Sequence, residues 1–312
     1  MNDLFGLAPN AYSSAREIRL LMGSFGPQSS RFILTFPHFS EWRDRLLSEF
    51  ENAGDIEKER IKSVLKSAKD NHALIDRGNL TFNNSLSWTE NAIQVWKDGG
   101  DFKKIYVSDD EHHAISQSAN SCFLPVLLPA SEPEPFTASD EQIDTTPQSY
   151  WRSSKILCSI SQEIHFIDPY LNPLKRDFKG IFSLFLQELS KKRKVTTVHF
   201  WVRGKLILDS HGESAEPEIR DLITSSISGA SHKLSVNFNL VSDDTATDKL
   251  HARYLLSECG GIKFDQGFQK LPDGRTNIVS PIGVDLHKNL FQKFSHQKFD
   301  LKIASSILVT SR

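Results

Sequence analysis

The stretch that decides the fold is residues 163–202, EIHFIDPYLNPLKRDFKGIFSLFLQELSKKRKVTTVHFWV. Glu163–Ile167 is a short apolar run that favours a β-strand, and between Asp177 and Ser190 the apolar residues recur with the spacing of a helix. The basic run Lys191–Lys194 ends this helix, and Val195–Val202 is rich in the β-branched and aromatic residues typical of strands. The alternation of strand, helix and strand predicts an α/β domain.

The chain after this stretch continues the same alternation. We predict a helix at 217–228, a strand at 234–240, a strand at 250–256 followed by a turn at Gly260–Gly261, a short strand at 278–280 and a last helix at 285–294. We also expect a helix at 153–161, directly before the stretch 163–202. The predicted fold class for this part of the chain is therefore α/β, a mixed sheet flanked by helices.

The first part of the chain predicts a smaller α/β or α+β domain. Arg31–Phe36 and Lys104–Val107 favour strands, residues 40–75 have helical periodicity, and Ser87 is placed to cap a helix through Trp96. Residues 122–128 are another strand candidate, in which Pro125 favours an edge position. No chemistry is recognisable in this part.

A proline-rich acidic segment separates the two parts. Residues 129–148 contain four prolines, five acidic residues and no basic residue. Such a composition offers little apolar surface to bury, so we expect an exposed linker. The predicted domains are therefore 1–128, of unknown role, and 149–312.

Composition excludes several classes of protein. With 38% hydrophobic and 24% charged residues the chain resembles a soluble globular protein, and no apolar run approaches the roughly 18 residues needed to span a bilayer. The three cysteines form no CxxC pair, and the first residues do not resemble a signal peptide, so a cytoplasmic protein is expected. Residues 151–312 contain 23 Lys and Arg against 17 Asp and Glu, a positive balance that hints at an anionic partner.

The segment 249–268, KLHARYLLSECGGIKFDQGF, contains the residues best suited to catalysis. His251, Arg253 and Glu258 form the pattern H-x-R-x-x-x-x-E. On a strand, His251 and Arg253 would project from the same face. A neutral imidazole can attack phosphorus or transfer a proton, a guanidinium can hold two phosphate oxygens, and a nearby carboxylate can orient the imidazole. The pattern therefore suits phosphate chemistry, although a surface ion pair between Arg253 and Glu258 is the structural alternative.

This pattern resembles the H-x-K-x-x-x-x-D signature of the phospholipase D superfamily, and the strand ending in Asp168-Pro169-Tyr170 resembles a segment that many of its members place upstream. The combination is especially similar to a divergent single-motif branch, which includes the C-terminal domain attached to MIT modules and domains of prokaryotic defence proteins. The resemblance covers residues 151–300. Arg253 stands in place of the family's lysine and Glu258 in place of its aspartate, and the family's G-S-x-N element is not evident.

The resemblance implies a metal-independent phosphodiesterase or nuclease without a cofactor. His251 would form a phosphohistidine, assisted by Arg253 and Glu258, and a second histidine would come from the partner in a symmetric homodimer. Asp168, Tyr170, Gly260 and Gly261 would lie at the substrate, although Asp168 could equally form a turn before Pro169. His165, on an apolar strand, is expected to be a hydrogen-bonded core histidine.

Three functions remain open at this stage. The first is a phospholipase D-like protein that cuts or grips the phosphodiester backbone of nucleic acid, as the resemblance to defence proteins suggests. The second is a non-catalytic scaffold or recruitment subunit of a larger complex, which the replaced lysine favours. The third, binding of anionic lipid, has no basic amphipathic helix to support it.

Overall fold

The computed structural model describes residues 3–29, 31–76, 80–98, 102–117, 126–132, 140–242, 250–272 and 274–311. The chain divides into two compact units, an amino-terminal unit at Asn2–Ala138 and a carboxy-terminal unit at Ser139–Arg312. Each unit contains its own β-sheet.

The amino-terminal unit is built on a five-stranded parallel sheet with strand order β3-β2-β1-β4-β5. Its elements follow one another along the chain as β1 Asp3–Leu7, α1 Ala15–Met22, β2 Arg31–Thr35, α2 Phe39–Ser48, α3 Asp55–Asp70, β3 Leu74–Asp76, α4 Trp88–Lys97, β4 Phe102–Val107, α5 Asp109–Gln117 and β5 Leu127–Pro129. Every residue of β2 is buried, as expected for a strand covered on both faces.

Two local predictions in this unit are confirmed. Ser87 caps α4: its side chain accepts the backbone N–H of Glu90, and the Glu90 side chain accepts the N–H of Ser87 in return. Lys104–Val107 lies within β4. Most of the predicted strand at 122–128 falls outside the described residues, which resume at residue 126 and form β5.

The carboxy-terminal unit contains an eight-stranded mixed sheet with strand order β13-β9-β8-β7-β10-β11-β12-β6. Its elements are β6 Glu141–Asp144, α6 Pro147–Ile160, β7 Glu163–Ile167, α7 Arg176–Leu189, β8 Thr197–Arg203, α8 Gly204–His211, α9 Ala215–Ile227, β9 Ser235–Ser242, β10 Tyr254–Ser257, β11 Gly260–Phe264, β12 Thr276–Pro281, α10 Val284–Ser295 and β13 Lys302–Thr310. Strands β7, β8 and β9 run parallel, whereas the other pairings are antiparallel. The predicted α/β class is confirmed.

Helices cover both faces of this sheet. Successive residues of a strand point to opposite faces, so the apolar residues of the central strands present side chains to helices on both sides. On one face Phe182 of α7 packs against Phe200 and Phe238. On the other face Trp201 packs against Phe294 of α10, with the ring centroids 5.7 Å apart. The central strands are therefore buried on both sides, which accounts for the apolar run that identified them in the sequence.

The predicted linker at 129–148 is shorter in the structure. Pro129 ends β5, Glu141–Asp144 pairs with β12, and Thr146 caps α6. The acidic, proline-rich composition of this segment predicted an exposed linker throughout. An edge strand can form in it because such a strand obtains its hydrogen bonds from its neighbour and needs to bury only one face. Ile143 provides that face, with 2% of its surface exposed. The part of the segment outside the described residues is 133–139.

The glycine pair lies in a strand and not in the predicted turn. Glu258 and Cys259 form the turn between β10 and β11, and Gly260 and Gly261 are the first residues of β11. A Cβ at Gly261 would meet the Leu256 side chain at 2.8 Å and that of Ile282 at 2.9 Å. The backbone of β11 therefore packs so closely against these two side chains that a larger residue at position 261 would require them to move.

Within the described residues, no helix combines the length and hydrophobicity that crossing a membrane would require.

Candidate functional site

The candidate site lies where the parallel strands β7 and β8 end. Asp168, Pro169 and Tyr170 follow β7, and Arg203 is the last residue of β8. The backbone N–H of Asp168 donates to Trp201 O at 3.1 Å, and that of Arg203 donates to Pro169 O at 3.3 Å. The two strand ends are thus tied together, at the edge where α/β proteins commonly place ligands.

Asp168 holds the backbone beneath this site. Its side chain is 1% exposed, Oδ1 accepts the N–H of Tyr170 at 2.9 Å and Oδ2 accepts the N–H of Phe268 at 2.9 Å. Burial raises the pKa of the Asp168 carboxyl, and the two backbone hydrogen bonds and the charge of Arg253 oppose that rise. Asp168 therefore joins the end of β7 to the loop after β11, and its carboxylate is occupied by the protein's own backbone.

The loop at 265–269 is fixed by further buried groups. The Asn277 amide nitrogen donates to Gly267 O at 2.9 Å, and its amide oxygen accepts the N–H of Gln266 at 2.9 Å. The Tyr150 hydroxyl lies 2.9 Å from the carbonyl oxygens of both Gly267 and Gln269, and burial raises the pKa of Tyr150 to about 12. Gly267 has φ +73°, and a Cβ there would clash with the Asp168 carboxylate. The loop is consequently rigid beside the site.

Two arginines converge on the ring of Tyr170, which is 41% exposed. The guanidinium carbon of Arg253 lies 4.9 Å from the ring centroid and that of Arg203 lies 5.8 Å from it. Arg253 Nη1 donates to Asp265 O at 3.1 Å, and Arg203 Nη2 donates to Leu250 O at 3.1 Å. These contacts orient both guanidinium groups, whose planar forks are suited to phosphate oxygens. We call Tyr170, Arg203 and Arg253 the arginine–tyrosine site.

His251 is exposed and stands two residues before Arg253. The hydrogen bond from Arg203 to Leu250 O fixes the residue directly before it. Leu250, Tyr254 and Leu256 contribute to one hydrophobic cluster with Trp201. Side chains alternate between the two sides of an extended chain. Because residues 250, 254 and 256 face the cluster, we expect the side chains at positions 251 and 253 to face away from it. The strand begins only at Tyr254, later than the predicted residue 250, and residues 243–249 lie outside the description.

Glu258, Gly260 and Gly261 are not brought to this site. The Glu258 carboxylate accepts the backbone N–H groups of Gln162 and Glu163, at the beginning of β7. Strand β10 runs antiparallel to β7, so Glu258 lies at the opposite end of β10 from Arg253. The four strand residues between them extend over roughly 10 Å. The prediction that Glu258 orients His251 is therefore wrong. It inferred a contact from spacing along the sequence, but an extended strand separates the two side chains.

Sequence reasoning missed Arg203, and the signal that could have found it is its position directly after a buried strand. It also missed the exposed bases that follow Tyr170 along the chain, Lys175 and Arg176, at the start of α7. The backbone N–H of Lys270 donates to Asp177 O at 2.7 Å, which places a third exposed basic residue beside the first turn of that helix. This side of the unit is therefore positively charged around the two strand ends.

A second polar cluster lies on the sheet, at Glu163, His165 and His199, whose ligand-type atoms are all within 4.8 Å of one another. His165 is fully buried, as predicted for a core histidine. The Trp201 indole N–H donates to His165 Nδ1 at 3.1 Å. The neutral ring must therefore carry its proton on Nε2, which lies 2.9 Å from Glu163 Oε1. A metal at Nε2 would have to displace this proton, so the geometry favours a hydrogen-bonded cluster over a metal centre.

His199 should make the stability of the carboxy-terminal unit depend on pH. Burial and the neighbouring His165 lower the pKa of His199 to about 4, with Glu163 opposing the shift. Between an unfolded pKa near 6.5 and the folded value, the unfolded chain binds more protons, so stability falls as pH decreases through this window. The expected loss is about 3 kcal/mol at most. Urea unfolding from pH 7 to pH 4 measures it.

The matched control for this prediction is the exposed His251. His199→Gln should flatten the pH dependence. The slope that remains comes from the other shifted groups, among them His287, whose pKa is lowered by burial, and Glu163, whose pKa is lowered by its hydrogen bond to His165. His251→Gln should retain the full dependence. Equal slopes for His199→Gln and the parent chain would contradict the assignment.

The comparisons with known proteins add little to this geometry. No family model matches the chain, and no curated protein shows significant similarity to it. A solved structure of TrmBL2, an archaeal chromatin protein described as showing a novel mode of DNA binding, is 12% identical with a TM-score of 0.27. It covers 83% of this chain and 87% of that chain. A TM-score this low does not establish a common fold, so no argument rests on the similarity.

Proposed function

We propose that the carboxy-terminal unit is a phospholipase D-like domain that binds the phosphodiester backbone of nucleic acid at the arginine–tyrosine site. The observation that carries the proposal is the convergence of Arg203 and Arg253 on the exposed ring of Tyr170. Guanidinium groups held in a fixed orientation bind phosphate oxygens through paired hydrogen bonds. An aromatic ring beside them can stack on a base of a single strand.

The surrounding charge supports a polymeric anion as the ligand. Three exposed basic residues lie near the first turn of α7. Lys175 and Arg176 follow Tyr170 closely along the chain, and Lys270 is hydrogen-bonded through its backbone to the first turn. A nucleic-acid backbone repeats its charge every few ångströms and can reach several such side chains at once. The positive balance of residues 151–312, +6, is in keeping with this partner.

Binding is better supported than cleavage. Glu258, the carboxylate predicted to orient His251, is not available to it because Glu258 lies at the other end of β10. The Asp168 carboxylate is already bonded to backbone N–H groups. The phospholipase D-like reaction would also need a second histidine, which a homodimer would have to bring to the same phosphate. A non-catalytic role therefore agrees best with the site. Recruitment in an antiviral defence complex, which the family resemblance suggests, would be one such role.

Cleavage remains the second candidate because His251 is exposed beside Arg253. The two functions are separated by incubating the full chain with labelled single- and double-stranded DNA and RNA in EDTA. We expect a mobility shift without new products, and a His251→Ala variant that still shifts the probe. Metal-independent products that disappear in His251→Ala would instead establish a nuclease. Absence of any shift at low salt would contradict both.

A further inference from the structure

The amino-terminal unit has a cleft at the topological switch point of its parallel sheet. From β1 the chain proceeds to β2 and β3 on one side, and it then crosses over to β4 and β5 on the other side. The loops after β1 and β4 therefore diverge at the carboxyl ends of two adjacent strands. In open parallel sheets this divergence creates the crevice in which ligands bind.

The cleft at this position has a volume of about 720 Å³, which is within the range of small-molecule sites. Asn10 and Tyr12 come from the loop after β1, Ser108 comes from the loop after β4, and Asp109 is the first residue of α5. The helix that follows β1 supplies an apolar wall through Leu20, which is 68% exposed. Both loops that the topology identifies thus line one cavity.

The charged groups of the cleft are carboxylates. Glu17, Asp109 and Asp110 line it, and no lysine, arginine or histidine does so among the described lining residues. Desolvation opposes the ionisation of Glu17, but hydrogen bonds from Ser14 and Ser13 outweigh it and lower the pKa. Ionised carboxylates only accept hydrogen bonds. A ligand that bonds to these carboxylates must therefore supply donors.

Phosphate is disfavoured by the same groups. Helix amino termini commonly bind anions, and α1 and α5 both begin at the cleft. Here Glu17 occupies the first turn of α1, and Asp109 and Asp110 occupy that of α5. A phosphate would meet three negative charges at positions where other folds offer free N–H groups. Burial raises the pKa of Tyr12, with Glu17 and Asp109 adding to the effect, so its hydroxyl keeps a proton to donate.

A smaller adjoining cleft of about 260 Å³ shares Asn10 with the first and contains unsatisfied groups. Arg45 and Glu111 both line it. Arg45 Nε and Glu111 Oε2 are buried atoms for which the described part of the chain provides no hydrogen-bond partner. Buried polar atoms without partners are costly, so a bound molecule that reached them would gain affinity.

We propose that the amino-terminal unit binds a phosphate-free ligand of nucleoside size, an apolar ring that carries hydroxyl or amino donors. The donors would bind the carboxylates, and the ring would lie against the Leu20 wall. This site is separate from the arginine–tyrosine site, and the proposal does not rest on the function proposed for that site.

The test uses the full chain and the four ribonucleosides, each paired with its 5′-monophosphate. Saturation-transfer NMR and calorimetry measure binding. At least one nucleoside should bind with a Kd below about 1 mM, and its monophosphate should bind at least about tenfold more weakly. Asp110→Lys should reduce or invert this preference. Asp70→Lys, an exposed exchange of the same charge on α3, is the matched control and should leave it unchanged.

Three results would overturn the proposal. One is the absence of nucleoside binding up to millimolar concentration. The second is a monophosphate that binds the parent chain as tightly as its nucleoside. The third is an Asp70→Lys variant that changes the preference as much as Asp110→Lys does, because the effect would then arise from net charge and not from the cleft.

Discussion

Replacement of Asp168 by alanine is expected to lower the free energy of unfolding of the carboxy-terminal unit by about 3–5 kcal/mol. The substitution removes the acceptor of two backbone N–H groups, those of Tyr170 and Phe268, in a site that is 1% exposed. Each buried donor left without a partner costs about 1–3 kcal/mol, and the charge of Arg253 loses its buried counterpart. Urea unfolding monitored by circular dichroism measures the loss.

Asp265→Ala is the matched control for this prediction. Its carboxylate is on the same loop, is half exposed and lies 3.7 Å from Lys263, so its removal should change stability by less than about 0.5 kcal/mol. A loss below 1 kcal/mol for Asp168→Ala would show that the loop does not depend on the carboxylate.

Gly267 provides a second test of the same loop. Gly267→Ala should be destabilising on its own, because φ is +73° and the new Cβ would clash with Asp168. In an Asp168→Ala background the clash with the carboxylate is gone, so the two substitutions should cost less together than the sum of their separate effects. Strict additivity would contradict the contact between these two residues.

The α/β class could be predicted because its signals are local. The buried strands β7 and β8 appear as apolar runs, β9 alternates between apolar and polar residues, and α7 places its phenylalanines at helical spacing. Strands with exposed faces gave no such signal. The edge strand β13, Lys302–Thr310, alternates between exposed residues and residues that are partly or fully buried, and its polar half resembles a loop. Its identity is determined by pairing with β9, a contact that the sequence does not show.

The candidate site could be predicted only in part, for the same reason. Asp168, Tyr170 and Arg253 were identified from one motif and one strand end, and the structure brings them together. Arg203 comes from a different strand, and only the parallel pairing of β7 with β8 places it there. Glu258 was assigned by its spacing from His251, although spacing along a strand measures separation and not contact.

Substitution of Arg203 and Arg253 by glutamine should weaken binding of nucleic acid about tenfold or more for each residue. Hydrogen bonds to charged partners contribute about 1.5–3 kcal/mol, and 1.4 kcal/mol corresponds to a factor of ten in affinity. The two guanidinium groups share the ring of Tyr170, so their effects should not be independent. Fluorescence anisotropy with a single-stranded oligonucleotide, repeated over a range of salt concentrations, measures both the affinity and its salt dependence.

The salt dependence distinguishes a phosphate contact from a general loss of structure. Each phosphate contact removed should reduce the slope of log K against log salt by about 0.7 for a single strand. Arg253→Lys should retain the slope but not the full affinity, because lysine keeps the charge and loses the planar group that stacks on Tyr170. Arg275→Gln, an exposed arginine at the start of β12, is the matched control and should change neither quantity. Unchanged slopes in the Arg203 and Arg253 variants would place the phosphate contacts elsewhere on the unit, because phosphates neutralised by these guanidinium groups must release their condensed counterions.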